Sequence, residues 1–168
     1  MMRIGLGYDV HAFAEGRRLV LGGVEIEHER GLLGHSDADV LAHALADAVL
    51  GALRVGDIGK LFPDTDQAWA GADSIELLAQ VGQLAADQGW RVVDADCVLI
   101  LERPKVSAYR DAMRANLARA LGVGVESVGL KATTTEHLGF EGREEGVGAQ
   151  AVVLIERVWP AHEEGQPC

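Results

Sequence analysis

The sequence predicts an α/β (α+β) fold in which a small mixed β-sheet carries helices packed on one face. Three observations support this fold class. The 168 residues suit one domain, the 48% of hydrophobic residues are enough for a packed core, and strand-like and helix-like patterns follow one another as β-β-α-α-β-α-β-β. We expect a single domain over residues 1–158 and a polar C-terminal tail over residues 159–168.

The N-terminal part of the chain predicts two short strands. Met2–Tyr8 has the composition of a strand that ends at Asp9-Val10-His11. Leu19–Val24 predicts a second strand, in which the pair Gly22-Gly23 indicates a hairpin arm. These strands place Asp9 and His11 at the end of the first strand.

The clearest helical pattern covers Ser36–Leu53. Its apolar residues recur with the helical period, as on one face of an amphipathic helix. Ser36 is the predicted N-cap. Asp37 and Asp39 would then lie in the first turn, where acidic side chains interact favourably with the helix dipole.

The elements of the rest of the chain are predicted from the same helical and strand periodicities of apolar residues. Residues 56–71 form a predicted loop rich in Gly, Pro and Asp. Asp73 with Glu76 resembles a capping box that begins a second helix, and Gly89 ends it. The remaining predicted elements are the strand Trp90–Leu101, the helix Ser107–Leu121, and the strands Val128–Ala132 and Val147–Val158.

The charge and the apolar segments exclude several classes of function. A net charge of −11 repels nucleic acid and anionic membrane surfaces. No apolar run approaches the roughly 20 residues of a membrane helix, and the N-terminus has no signal-peptide pattern. Cys97 and Cys168 have no metal-binding spacing. We therefore predict a cytoplasmic protein that needs metals, helix N-termini or a few Lys and Arg residues to bind any anionic substrate.

Two glycine-containing segments resemble known signatures but each lacks a required residue. Gly5-Leu6-Gly7 begins like a dinucleotide-binding motif, yet Val10 stands where the third glycine is needed and no helix follows. Gly34–Ala38 resembles a nucleophile elbow, yet Ala38 replaces its final glycine. Neither function is predicted.

Asp9, His11 and His43 are candidate metal ligands. In a strand, residues i and i+2 point the same way, so Asp9 and His11 share a face. His43 follows His35 by eight residues and falls roughly on the same side of the predicted helix. Asp and His side chains suit a catalytic zinc site with an open fourth position. Taken singly, each histidine also fits a surface or hydrogen-bonded residue, and spacing alone leaves that alternative open.

Three further clusters have a functional and a structural interpretation. Asp57–Asp66 is either a solvated loop or, since it is long and contains apolar residues, a functional one. Lys105 is either a solvated residue at a strand end or a phosphate ligand. Thr133–Thr135 fits a strand by propensity, but it also places hydroxyl and backbone N–H groups where they can bind phosphate, and Glu136 could bind a hard divalent cation.

Short motifs in a fixed order run through nearly the whole chain. They are Gly7–Phe13, Gly34–Val40, His43, Gly56–Asp66, Pro104-Lys105, Lys131–Glu136, Leu138–Phe140 and Gly142-Arg143. In this order they resemble the 2-C-methyl-D-erythritol 2,4-cyclodiphosphate synthases of the non-mevalonate isoprenoid pathway. The chain departs from the commonest pattern at Leu101–Arg103. The resemblance implies a small α/β domain that forms a homotrimer, with its sites between neighbouring chains.

The resemblance also implies a role for each matching residue. Asp9, His11 and His43 would bind zinc, and Glu136 would bind a second divalent cation, magnesium or manganese. His35 and Thr134 would stabilise the transition state. The implied substrate contacts are Ser36, Asp57, Gly59, Phe62 and Asp64 to the methylerythritol phosphate, Leu101, Lys105 and Thr133 in the cytidine-diphosphate pocket, and Ile58, Asp66, Thr135, Phe140 and Arg143 elsewhere in the site.

The implied reaction converts 4-diphosphocytidyl-2-C-methyl-D-erythritol 2-phosphate to the 2,4-cyclodiphosphate with release of CMP. An oxygen of the 2-phosphate attacks the β-phosphorus, so no protein nucleophile is needed. Two other classes stay open: a zinc hydrolase that cleaves the same diphosphate with water, and a non-catalytic trimer that binds a nucleotide or an isoprenoid diphosphate. A hydrolase would need a base close to a metal-bound water, and no extra Glu or His adjoins the ligand motifs. A binding protein would not need Thr134 in addition to the full ligand set.

Overall fold

The computed structural model describes residues 1–63 and 65–158. The predicted site residue Asp64 and the predicted polar tail, residues 159–168, lie outside this range. The strands are β1 (Met2–Ala14), β2 (Leu19–Leu21), β3 (Val24–Ile26), β4 (Gly31–Leu32), β5 (Trp90–Ile100), β6 (Val128–Thr133) and β7 (Gly146–Arg157). The α-helices are α1 (Val40–Leu53), α2 (Ile58–Leu61), α3 (Ser74–Asp87), α4 (Arg110–Leu121) and α5 (Gly139–Gly142), with short 3₁₀ turns at Gln67–Trp69, Ser107–Tyr109 and Val125–Ser127.

Five of these strands form one mixed sheet in the order β4-β1-β7-β5-β6. The pair β5–β6 is parallel, whereas the other neighbours are antiparallel. Helix α1 packs on β1 and β7, and α3 and α4 pack on β5 and β6. The predicted α/β fold with helices on one face of a mixed sheet is therefore confirmed.

Helix α1 lies unusually close to β1 because of two glycines. A Cβ atom built on Gly5 would lie 1.8 Å from the carbonyl oxygen of Ala48, and one built on Gly7 would lie 1.8 Å from that of Ala44. Only glycine leaves room for such an approach. Gly5 and Gly7 therefore serve helix–strand packing, and this packing brings His43 of α1 over the C-terminal half of β1.

The opposite face of the sheet is apolar and exposed. Along β1, side chains alternate between the buried helix side and this second side, as strand geometry requires. The second side, which we call the open sheet face, carries residues with large exposed fractions. They are Ile4 at 73%, Leu6 at 68%, Tyr8 at 51%, Val10 at 41% and Val152 at 45%. Contiguous exposed apolar surface of this kind marks an interaction site.

The structure corrects two predictions near the N-terminus. Strand β1 runs on to Ala14, so Asp9 and His11 lie inside the strand and not at its end. The predicted strand Leu19–Val24 is a hairpin, because Gly22 and Gly23 adopt positive φ angles of 56° and 68° and turn the chain between β2 and β3.

The start of α1 was also predicted wrongly. The N-cap is Asp39 and not Ser36, and the helix begins at Val40, so Asp37 lies outside it. The Asp39 carboxylate accepts hydrogen bonds from the N–H groups of Gly22 and Gly23 at 2.9 and 2.6 Å as well as from the first turn of α1. Since one side chain caps the helix and binds the β2–β3 turn, a tertiary contact decides where α1 begins.

No helix within residues 1–63 and 65–158 is long and apolar enough to cross a bilayer.

The predicted loop 56–71 contains α2 and one 3₁₀ turn, each capped by an aspartate. Asp57 accepts from the N–H of Lys60 at 2.8 Å, and Asp66 accepts from that of Ala68 at 2.9 Å. The predicted cap at Asp73 is confirmed by a 2.8 Å hydrogen bond from the N–H of Ile75.

Candidate metal centre and substrate pockets

Asp9, His11 and His43 converge on one point between β1 and α1. The carboxylate oxygen Oδ2 of Asp9 lies 2.9 Å from Nε2 of His11 and 3.2 Å from Nδ1 of His43. The two ring nitrogens are 3.1 Å apart. Among the described residues, these three form the group whose donor atoms could hold a metal ion.

The distances fit a tetrahedral site. With metal–ligand bonds of roughly 2.0–2.1 Å, two ligand atoms of a tetrahedron are separated by roughly 3.3 Å. The three observed separations lie close to that value. One carboxylate and two imidazoles form one face of the tetrahedron, and the fourth position is left for a substrate oxygen.

Hydrogen bonds set the ionisation and orientation of these ligands. Burial by itself raises the pKa of the Asp9 carboxyl, but hydrogen bonds from His11 and His43 outweigh burial and hold this pKa well below its usual range. Nδ1 of His11 donates to the carbonyl oxygen of Leu33 at 2.7 Å, which leaves Nε2 as the ligand atom. The centre therefore presents a charged carboxylate to a cation at neutral pH.

A pocket of about 290 Å³ opens beside this centre. It contains the predicted site residues His35, Ser36, Ile58, Gly59 and Phe62 together with His11 and His43. Trp69 and Leu77 also line it, and neither was predicted from the sequence. Trp69 packs edge-on against Phe62 with ring centroids 4.9 Å apart. Trp69 lies near the end of the predicted loop 56–71, and an aromatic residue in such a loop is the sequence signal that could have identified it.

The loop that carries His35 and Ser36 is held by backbone contacts. Arg17 donates from Nη2 to the carbonyl oxygen of Ser36 at 2.6 Å, and the N–H of Gly71 donates to that of His35 at 2.8 Å. Nε2 of His35 lies 3.3 Å from the carbonyl oxygen of Asp66. The side chains of Asp57 and Asp66, predicted as substrate contacts, cap helices in this structure and do not line the pocket.

A second pocket, of about 360 Å³, lies where β5 and β6 end against α4. It brings together the predicted residues Leu101, Lys105, Thr133 and Thr134. Arg110 and Lys131 also line it, and neither was predicted as a site residue. Arg110 pairs with Asp111 and Lys131 with Asp96. Arg110 stands at the first position of α4, five residues after Lys105, so its proximity depends on the turn between them. The pocket combines an apolar wall with three cationic side chains.

The loop after β6 is shaped by a buried carboxylate. Glu102 is 8% exposed and accepts hydrogen bonds from the N–H groups of Thr135 and His137, both at 3.1 Å. These bonds, from His137 first, lower the pKa of Glu102. Glu136 and His137 have positive φ angles of 54° and 65°, a strained conformation for side-chain-bearing residues. The hydrogen bonds to Glu102 therefore offset the strain of the loop that carries Glu136. The Glu136 carboxylate accepts a hydrogen bond from the Thr134 hydroxyl at 2.9 Å.

Besides Asp57 and Asp66, the predicted site residues Thr135, Glu136, Phe140 and Arg143 lie apart from both pockets. Thr135 donates its hydroxyl to the carbonyl oxygen of Leu138. Arg143 pairs with Glu145 at 2.8 Å on the surface. Phe140 is half-buried in α5. Within one chain, neither of the two pockets described above is lined by Thr135, Phe140 or Arg143.

The sheet register fixes how the metal centre and the second pocket are related. Val10, Gly148, Ile100 and Thr133 form one row across β1, β7, β5 and β6. Three strand spacings separate the ends of this row, or roughly 14 Å. Asp9 and His11 point to the helix side, whereas Val10 and Thr133 share the other side, since residues in one row point the same way.

Comparison with known proteins identifies close relatives. A model of the YgbB family matches residues 2–156. The 2-C-methyl-D-erythritol 2,4-cyclodiphosphate synthase of Desulfitobacterium hafniense (strain DSM 10664 / DCB-2) is 56% identical over 158 residues, which cover 94% of this chain and 100% of that protein. The corresponding synthase of Geobacillus kaustophilus is 58% identical over 157 residues, with 94% and 99% covered.

Solved structures share the fold. The bifunctional IspDF from Campylobacter jejuni superposes with a TM-score of 0.90 at 43% identity, and the match covers 94% of this chain and 42% of that one. IspF from Plasmodium falciparum in complex with CDP gives a TM-score of 0.82 at 31% identity, with 94% and 97% covered.

The fold and the site define a small α/β domain with an Asp-His-His metal-binding centre beside an open pocket. The chain belongs to the YgbB family, and its curated relatives are 2-C-methyl-D-erythritol 2,4-cyclodiphosphate synthases. The family predicted from the order of the motifs is thereby confirmed.

Proposed function

We propose that this chain converts 4-diphosphocytidyl-2-C-methyl-D-erythritol 2-phosphate to 2-C-methyl-D-erythritol 2,4-cyclodiphosphate and CMP. The observation that carries the proposal is the convergence of Asp9, His11 and His43 beside a pocket that contains His35. Family membership supports it, since the curated relatives bear the name of this synthase. A solved relative in complex with CDP supports a cytidine nucleotide as ligand. The cytoplasmic location stays a prediction from the sequence.

Zinc is the proposed ion of the Asp-His-His centre. The donor set and the near-tetrahedral separations favour zinc over the hard cations, which prefer oxygen ligands. When bound, zinc would supply a Lewis acid for a β-phosphate oxygen. Glu136 is the proposed ligand of a magnesium or manganese ion, which would neutralise negative charge on the diphosphate as CMP leaves. A single carboxylate suits this role because magnesium commonly binds through one or two carboxylates and substrate phosphates.

The protein's own residues would position the substrate and stabilise charge. His35 and Thr134 are the proposed catalytic residues, because an imidazole and a hydroxyl can donate to phosphate oxygens as negative charge shifts during transfer. Lys105 supplies local positive charge in the second pocket of a protein with a net charge of −11, together with Arg110 and Lys131, which are paired with Asp111 and Asp96. The residues proposed to contact the substrate are Ser36, Asp57, Ile58, Gly59, Phe62, Asp64, Asp66, Leu101, Lys105, Thr133, Thr135, Phe140 and Arg143.

Every bond that forms or breaks in the proposed reaction belongs to the substrate. An oxygen of the 2-phosphate forms a bond to the β-phosphorus, and the bond from that phosphorus to the bridging oxygen breaks. The bridging oxygen leaves with CMP. Holding both phosphates in one site makes the attack intramolecular, which can lower the barrier by roughly 7–11 kcal/mol where alignment is good.

Turnover in oxygen-18 water separates cyclisation from hydrolysis. Both reactions release CMP, but they differ in the source of the attacking oxygen. We expect a product without solvent oxygen, one water lighter than the hydrolysis product, with two coupled phosphorus resonances. Mass spectrometry and phosphorus NMR measure both properties. One solvent oxygen per turnover in the sugar product would contradict the cyclase function and support a zinc hydrolase.

We further propose that the active form is a homotrimer with sites between neighbouring chains. The open sheet face, with Ile4 73% and Leu6 68% exposed, provides an apolar surface for association. Thr133 lies roughly 14 Å across the sheet from Val10, the residue between Asp9 and His11, and on the side of the sheet opposite these two ligands. A site in which one chain supplies Asp9, His11 and His43 and its neighbour supplies Lys105, Thr133 and Glu136 would bring the two halves together.

Mixing two inactive variants tests the shared site. Asp9→Ala inactivates the half of the site that holds the metal ligands, and Glu136→Ala inactivates the half that the neighbouring chain supplies. After dissociation and reassembly of an equal mixture, about a quarter of the sites should combine two intact halves, since a ring interface joins different surfaces of adjacent chains. Reassembly of each variant alone is the control and should remain inactive. Mixed trimers verified by native mass spectrometry that show no activity would place each site within one chain.

A further inference from the structure

His43 makes contacts through both ring nitrogens. Nδ1 faces Asp9 and His11 in the metal centre. Nε2 faces away and lies 2.9 Å from the hydroxyl oxygen of Ser74, the first residue of α3. Ser74 is only 1% exposed, so its hydroxyl must find its partners within the protein.

Ser74 is in turn bound to the carboxylate of Asp37. Its hydroxyl donates to Oδ1 of Asp37, and its backbone N–H donates to Oδ2 at 3.2 Å. The N–H of Asp37 donates to the carbonyl oxygen of Ala72 at 3.1 Å, which fixes the carboxylate against the start of α3. The single hydroxyl proton of Ser74 is used by Asp37, so the oxygen presents only lone pairs to His43.

This arrangement keeps a proton on Nε2 of His43. An oxygen that offers only lone pairs accepts from an N–H group, so Nε2 is the donor to Ser74. Nδ1 faces Oδ2 of Asp9 at 3.2 Å, and it becomes the ligand atom when a cation takes the place of the proton between them. Histidines that bind metals regularly donate their second ring N–H to a carboxylate, a carbonyl oxygen or a water, and that contact fixes the tautomer and the ring orientation. Here a serine stands between the histidine and the carboxylate.

We propose that Ser74 and Asp37 form a positioning pair that holds His43 in its Nε2–H tautomer and strengthens Nδ1 as a metal ligand. The proposal rests on the metal centre proposed above. Neither residue contacts the metal or the substrate in this role, because both act through His43. The pair also ties the loop that carries His35 to the first turn of α3, so one hydrogen-bonded chain orients the metal centre and that loop.

A neighbouring hydroxyl shows why Ser74 is the principal partner. Ser36 Oγ lies 3.2 Å from Nε2 of His43 and 3.2 Å from Ser74 Oγ. It accepts from the N–H of Ala38 at 3.1 Å and has no carboxylate behind it. Since hydrogen bonds that involve a charged group are the stronger ones, the contact supported by Asp37 dominates.

Zinc affinity tests the pair without any measurement of catalysis. Ser74→Ala removes the hydroxyl, and Asp37→Asn removes the charge with almost no change of shape. We expect each variant to bind zinc about 10–100-fold more weakly in competition with a chromophoric chelator. The double variant should be no weaker than Ser74→Ala alone, because the two residues act as one chain.

Asp73→Asn is the matched control. Asp73 precedes Ser74 and caps the same helix, yet its side chain bonds Ile75 and does not contact His43. We expect its zinc affinity to equal that of the unmodified protein. Circular dichroism of each apo variant verifies that α3 is retained, so a loss of affinity reports on His43 and not on folding.

Nitrogen-15 NMR of the metal-free protein gives a second readout. The Nε2 resonance of His43 should be that of a protonated nitrogen in the unmodified protein, and it should shift toward the unprotonated position in Ser74→Ala. Equal zinc affinity and an unchanged tautomer in Ser74→Ala overturn the pair, and loss in Ser74→Ala without loss in Asp37→Asn removes Asp37 from it. If the unmodified protein binds no zinc, the metal centre fails while the tautomer still decides the role of Ser74.

Discussion

His43→Ala is expected to release the metal ion and to lower kcat/KM by about 10³-fold or more, the upper range for loss of one preorganised charge-stabilising group. His43 contributes one of three ligand atoms that lie within hydrogen-bonding distance of one another. Helix α1 should survive, because alanine is the better helix former and the neighbouring turns are buried in the core. Elemental analysis of chelator-free protein and far-ultraviolet circular dichroism measure the two effects.

His28→Ala is a suitable control for the loss of an imidazole. His28 packs against Phe13, with ring centroids 5.4 Å apart, and is not part of the metal-binding group. We expect one zinc ion per chain to remain in this variant. If the protein with His43 intact contained far less than one zinc ion per chain and gained no activity on zinc addition, the metal assignment would be wrong.

Gly7→Ala is expected to lower the free energy of unfolding by roughly 3 kcal/mol or more, at or above the upper range for overpacked cores. The added Cβ atom would lie 1.8 Å from the carbonyl oxygen of Ala44, and this oxygen belongs to the helix backbone and cannot turn aside. The strand and the helix must separate. Because Asp9 lies on that strand and His43 on that helix, zinc affinity should fall together with stability.

Gly51→Ala provides the comparison, since Gly51 lies in the same helix. The nearest atom to its added Cβ would be the carbonyl oxygen of Leu6 at 4.0 Å, an unstrained separation. Replacing this helical glycine should raise stability by up to about 1 kcal/mol. Urea unfolding curves measure both variants. Similar midpoints for Gly7→Ala and Gly51→Ala would show that the helix does not depend on this close approach.

The sequence predicted most of the helices and strands, because a long periodic pattern of apolar residues reflects only which face of an element is buried. The helix boundary at Ser36 failed for a physical reason. Asp39 caps α1 because it also binds the β2–β3 turn, and Ala38 adopts a positive φ angle of 61° just before it. Both are tertiary effects that a local pattern does not contain.

The residues of the candidate site likewise fall into those that a local pattern predicted and those that depend on tertiary contacts. The spacing of Asp9 and His11 along a strand predicted their shared face, which the structure bears out. Ser74 and Trp69 were missed because they reach the site from separate turns, and only the folded chain brings them to His43 and Phe62. The roles of all the predicted site residues stay predictions, and one chain does not bring Thr135, Phe140 and Arg143 into either pocket.

The sheet order has a consequence for how the chain acquires its structure. β7, the last strand in the sequence, occupies the centre of the sheet between β1 and β5. Until it is inserted, β1 has only the two-residue strand β4 as a partner, and the halves of the sheet are not joined. Pairing of the first strand with the last closes a loop of more than 130 residues, a feature of slow folding. A nascent chain therefore completes this scaffold only after all of β7 (Gly146–Arg157) has left the ribosome.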